Sequence, residues 1–171
     1  MKFLNVLALA TAAAAAKPTV YLIRHGEKPA DDNEHGLSAA GVKRSQCLRN
    51  VFGAKSSYNI GHIMAQTPQD DGSRGRPRDT VAPLAADLGL TTDLSCDRDD
   101  ADCVADVVKN YTGKGNILIC WEHKKLNNLA KAIGAKDQGN YPGDHFDIIW
   151  VQPSPYKKIT DQYENCPGLD N

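Results

Sequence analysis

The chain has 171 residues, 41% hydrophobic and 24% charged, proportions that suit one globular domain long enough to bury a core. Lys and Arg number 20 against 21 Asp and Glu, a formal charge of −1. That balance excludes a global field drawing the molecule to nucleic acid or an anionic membrane, so any preference for phosphate has to arise from local clusters of cations.

Residues 1–16, MKFLNVLALATAAAAA, have the three parts of a secretory signal peptide. Lys2 supplies the positive start, Phe3 to Ala10 the apolar stretch and Ala14 to Ala16 a small-residue cleavage site. The run is too short to span a bilayer. The expectation is a secreted or secretory-pathway protein whose mature domain occupies residues 17–171.

The first strand is expected over Thr19 to Arg24 and leads directly into His25, Gly26 and Glu27. A helix follows, with Ser38 as its cap and Cys47, Leu48, Val51 and Phe52 as its apolar stripe. Ile60 to Gln66 reads as a second strand and opens into TPQDDGSRGRPRDTV, which carries Arg74, Arg76 and Arg78. Val81, Leu84, Ala85 and Leu88 repeat at helical spacing; since Pro83 belongs in a first turn, that helix is expected to begin near Asp79 or Thr80. A weak strand is expected near Leu90.

The acidic loop CDRDDADC precedes a helical face of Val104, Ala105, Val107 and Val108, and Asn110 opens the glycosylation sequon NYT. Asn116 to Trp121 is a strand ending in Glu122, His123, Lys124 and Lys125. Leu126, Leu129, Ala130 and Ile133 form a fourth helical face, stopped by Gly134. Phe146 to Val151 is the last strand expected. Cys96 and Cys103 are spaced for a local disulfide, Cys47 and Cys166 are candidates to pin the tail, and Cys120 reads as a buried small hydrophobe. No Cys or His spacing indicates a metal site or a cofactor.

Alternating strands and helices, with strands written as near-continuous apolar runs, give a single-domain three-layer α/β/α sandwich with a mostly parallel central sheet. In such sheets ligands bind beyond the carboxyl ends of the strands. Three strands end there in cationic or imidazole groups: Arg24 with His25, the Arg74 to Arg78 cluster, and His123. Guanidinium groups take phosphate bidentately, and an imidazole among cations is biased to its neutral, nucleophilic form. Attack by that nitrogen on phosphorus would split phosphoryl transfer into two easier steps. His62 reads as a packed or edge-strand histidine, and His35 and His145 as loop residues, the latter near a rim.

These residues resemble the histidine phosphatase (phosphoglycerate mutase-like) superfamily. LIRHGE resembles its hallmark, GLSAAGVKRSQCL the helix after it, RPRDTVAPLAADLGL its arginine helix, and ILICWEH the strand delivering its second histidine. The resemblance implies a metal-independent phosphatase. His25 is then the nucleophile, Arg24 and Arg76 hold the phosphoryl oxygens, and His123 completes the pocket. Arg74 and Arg78 are alternatives to Arg76, because the segment before it is longer than the common pattern. Lys124 stands where one branch of the superfamily carries its general acid, and it extends the phosphate-binding set. Glu27 and Glu122 are the nearest carboxylates for that acid. The expected partner is a small phosphorylated substrate, met by a monomer without nucleic acid or membrane. Two other readings stay open: a degenerate member that binds an anion or partner without turnover, and a mutase-type phosphotransferase.

Overall fold

The computed structural model describes residues 17–31 and 33–169; the expected signal peptide lies outside the described residues. The elements run β1 (Val20–Arg24), α1 (Ala39–Val51), β2 (Ile60–Ala65), α2 (Arg76–Leu88), α3 (Ala101–Asn110), β3 (Asn116–Trp121), α4 (His123–Ile133), β4 (Ile148–Gln152) and β5 (Thr160–Tyr163). The sheet order is β2-β3-β1-β4-β5. β1 and β2 both pair parallel with β3, while β4 runs antiparallel to β1 and to β5. Only β4 therefore opposes the common strand direction, which gives the mostly parallel sheet that the sequence indicates.

The two sheet faces are separate cores. Tyr21, Ile23, Ile63, Leu118 and Ile149 pack with Leu48 of α1, Phe52 just after it, and Val81 and Leu84 of α2. Val20, Leu22, Ile117, Ile119 and Trp150 pack with Val104 and Val108 of α3 and Leu126 and Leu129 of α4. Strands buried on both faces carry no alternation, as their apolar runs require.

Ser38 caps α1 as expected, its hydroxyl accepting from the Gly41 amide at 3.1 Å. Gly134 closes α4. The Cys47–Cys166 and Cys96–Cys103 bridges are both formed, and Cys120 is free and buried.

Three expectations are corrected. Helix α2 begins at Arg76, not near Asp79 or Thr80: Pro77 fills the first turn, and Pro83 lies inside the helix. Burial of Val81, Leu84 and Ala85 on both sides of Pro83 holds the helix across the lost hydrogen bond. The segment near Leu90 is no strand; beyond it Asp93 makes one isolated parallel bridge to Met64, which carries the chain up to the carboxyl edge of β2. β5, of sequence TDQY, is exposed at all four residues and has no apolar signature. β4 starts two residues later than expected, because Phe146 is engaged by an arginine.

Candidate active site

β1 and β3 are paired with Arg24 opposite Trp121, so the residues after each strand emerge side by side. His25 extends this pairing, its amide donating to the Trp121 carbonyl at 3.1 Å. His123 is the first residue of α4, one residue beyond Glu122, whose side chain caps that helix. Because β4 runs the other way, the loop that enters it, residues 141–147, reaches the same edge of the sheet.

His25 is buried, only 7% exposed. Its Nδ1–H donates to the Gly26 carbonyl at 2.7 Å, which leaves Nε2 as the nitrogen with a lone pair. Burial pushes its pKa down to about 4; Arg24, Arg76 and His123 add to the fall, against the pull of the Gly26 hydrogen bond. Arg24, Arg76 and His123 all lower His25 through their charge, which puts them within electrostatic reach of its ring. His123 is likewise shifted down, first by burial and then by Arg24, with Glu122 opposing and Lys124 reinforcing.

The turn that carries His25 is clamped from two helices. The Gly26 amide donates to Thr80 Oγ1 at 2.9 Å, and that hydroxyl donates to the Arg76 carbonyl at 2.7 Å. A fully buried threonine thus ties the His25 turn to the start of α2. On the other side Gly26 meets Gly41 of α1: a Cβ on Gly26 would lie 3.1 Å from the Gly41 Cα and carbonyl oxygen.

Arg24 is held from above. One terminal nitrogen donates to the carbonyls of Gly143 and His145, each at 2.7 Å, and its guanidinium carbon lies 3.6 Å over the Phe146 ring. Its Nε is buried without a hydrogen bond among the described residues. A Cβ on Gly143 would come 3.9 Å from His123 Nε2, so this loop roofs the second histidine as well.

Among the three arginines of the α2 approach, Arg76 acts on His25. It donates to the carbonyls of Gly36 and Glu34 at 3.0 and 2.6 Å, which fastens the loop beyond the His25 turn. Arg74 instead faces Asp97 at 3.6 Å, and Arg78 pairs with neighbouring Asp79. Lys124 is exposed beside His123, whereas Lys125 is paired with Asp99 at 2.6 Å.

The two candidate carboxylates differ. Glu27 is bound by Arg44 at 2.7 Å. Glu122 Oε1 lies 3.6 Å from His123 Nδ1 and its amide donates to Gln66 Oε1 at 3.1 Å. Of the remaining histidines, His62 sits on edge strand β2 with Nε2 3.2 Å from Asp93, His35 is exposed, and exposed His145 pairs with Asp147 at 3.1 Å. A surface cleft of about 520 Å³ is lined by Asp102, Lys109, Ile133 and Tyr156 among others and contains none of these site residues.

Gln66, Phe146 and Arg44 take part in this edge without any signal in the sequence. Thr80 stands four residues after Arg76, a spacing that could have marked it. The others sit on a helix and on segments flanking strands, which meet only when the sheet is assembled.

No family model matches the sequence, and no curated protein does. Solved structures do. A protein histidine phosphatase SixA complexed with tungstate superposes with a TM-score of 0.57 at 16% identity, covering 85% of this chain and 94% of that one. A putative phosphohistidine phosphatase SixA from Agrobacterium tumefaciens gives 0.57 at 14% identity, over 85% and 96%. A phosphoserine phosphatase from Entamoeba histolytica, in complex with 3-phosphoglyceric acid, gives 0.52 at 11% identity, over 89% and 99%. All are histidine phosphatase superfamily members, and this chain has their fold.

Proposed function

We propose that the chain is a phosphomonoester hydrolase working through a covalent phosphohistidine on His25. In this reading His25 Nε2 attacks phosphorus and the P–O bond to the leaving group breaks. Water then cleaves the P–N bond, releasing phosphate and restoring the imidazole. Arg24, Arg76 and His123 stabilise the charge on the equatorial oxygens. The observation that carries the reading is the fixed tautomer of a buried, neutral imidazole, with Nδ1 committed to Gly26 and two guanidiniums and a second imidazole acting on it.

The leaving group needs a proton, and neither candidate acid is well furnished. Glu27 is committed to Arg44, position 124 is lysine, and Glu122 stands behind His123 on the Nδ1 side. Missing acid help costs roughly 10²–10⁴-fold, so preferred substrates are small phosphorylated molecules whose leaving group departs unprotonated. The same observation favours, as second reading, a degenerate member that binds an oxyanion without turnover. The mutase reading has no comparable support. Two disulfides and the exposed Asn110 sequon support an exported, glycosylated domain starting near Lys17.

An activated aryl phosphate separates the readings. Wild type should hydrolyse it and His25→Ala should not, and acid-free mass spectrometry of quenched wild type should find phosphate on the His25 peptide. Equal background rates in both proteins, with phosphate still bound, would leave the second reading standing.

A further inference from the structure

Arg44 takes no part in the proposed chemical steps, yet it is among the most deeply placed charges in the fold, its side chain 1% exposed. Nε donates to both Glu27 oxygens at 3.1 Å and one terminal nitrogen donates to Glu27 Oε1 at 2.7 Å. The other terminal nitrogen donates to Glu164 Oε2 at 2.5 Å. Both edges of the guanidinium fork are therefore used, which fixes its orientation as well as its place.

We propose that Arg44 is a positioning residue for the His25 turn, and that it is set in place by the C-terminal tail, which the Cys47–Cys166 bridge fastens to α1. The inference rests on the reading of His25 as nucleophile.

The contacts run in a continuous chain. Glu27 stands two residues after His25, and its carbonyl accepts from the Ser38 amide at 2.9 Å. Helix α1 thus holds the turn by its cap, by the Gly41 approach and by Arg44. A second branch reaches Arg24: the Phe146 ring that carries the Arg24 guanidinium lies 6.0 Å from that of Arg44. Arg44 consequently stands behind both the nucleophile turn and the platform under Arg24.

On the far side is the tail. The Glu164 amide donates to the Asp147 carbonyl at 2.8 Å, and Cys166 Sγ lies 3.9 Å from Glu164 Oε2. Cys47 is about one helical turn beyond Arg44 on α1. β5, just before Glu164, has only exposed side chains, so the bridge is the covalent anchor of this segment. A buried ion network contributes little net stability compared with apolar packing; what this one supplies is a fixed direction next to the reacting group.

The test compares Glu164→Gln, which keeps shape and an acceptor for Arg44, with the Cys47→Ser/Cys166→Ser double variant. Asp87→Asn, which breaks the exposed ion pair between Arg49 of α1 and Asp87 of α2, is the control. Two quantities are read: steady-state kinetics on the aryl phosphate, and the titration of the His25 ring nitrogens by NMR. A loosened turn admits water to His25 while Arg24, Arg76 and His123 still face it, so its pKa should climb from about 4 toward the ordinary 6.5. The same variants should lose roughly ten- to a hundredfold in kcat with little change in KM, as misplacement of a reacting group does. The control should change neither. Glu164→Gln that folds, turns over and titrates as wild type does would overturn the proposal, and it carries the comparison alone if the double variant does not fold. If wild type hydrolyses nothing, the phosphatase reading fails, and the NMR titration still decides whether the tail positions His25.

Discussion

His25 has the most strongly displaced protonation equilibrium among the histidines whose shift is resolved. An ordinary histidine titrates near 6.5; this one is held at about 4, chiefly by burial and then by the cations around it. Between those values the unfolded chain takes up a proton that the folded chain refuses, so stability falls as pH falls through the window and is level above it. The fall at His25 amounts to about 3 kcal/mol, and His123, shifted in the same direction, adds to it. Urea unfolding at pH 7 and at pH 4.5 should show the loss, and His25→Asn should remove most of it. A variant as acid-sensitive as wild type would mean that the imidazole is not kept neutral by its site.

Among the elements, helix α1 depends on a glycine where helices usually gain from alanine. Gly41 lies in its first turn, and a Cβ there would come 2.5 Å from the Glu27 carbonyl oxygen and 3.0 Å from its amide nitrogen. Both are backbone atoms that no side-chain rotation can clear. Replacing glycine by alanine in a helix gains about 0.5–1 kcal/mol, while forcing a methyl into packed backbone costs about 1–3 kcal/mol. Gly41→Ala should therefore lower Tm and, by pushing the His25 turn, lower activity too. Gly36→Ala, whose Cβ would meet nothing within 4 Å, should leave Tm nearly unchanged. Equal Tm values for the two variants would show that α1 does not press on the turn.

Across the whole molecule the two disulfides differ in reach. Cys47–Cys166 joins residues 119 apart in sequence, and Cys96–Cys103 residues 7 apart. Loop-closure entropy gives the long bridge about 5 kcal/mol and the short one about 2.5 kcal/mol. Serine replacement of the long pair should therefore shift the urea midpoint by more than replacement of the short pair. Equal shifts would mean that the unfolded chain is already constrained between α1 and the tail. The short bridge acts locally, closing a loop whose Arg98 carbonyl accepts from the Trp121 indole at 3.0 Å, above the end of β3.

Strand and helix order, the cap of α1 and the end of α4 are legible in the sequence, because apolar runs, a capping serine and a closing glycine act on their own neighbourhoods. So is the position of the four groups of the proposed site, since Arg24, His25, Arg76 and His123 each end, follow or open a readable element at the carboxyl edge. What tertiary structure decided was how the neighbouring charges are spent: Glu27 on Arg44, Arg74 against Asp97, Lys125 on Asp99. β5 escaped the sequence because an exposed edge strand carries no apolar pattern. The early start of α2 escaped it because packing around Pro83 outweighs one lost hydrogen bond. Periodicity and caps are local; the pairing of a charge depends on which loops the sheet order sets face to face.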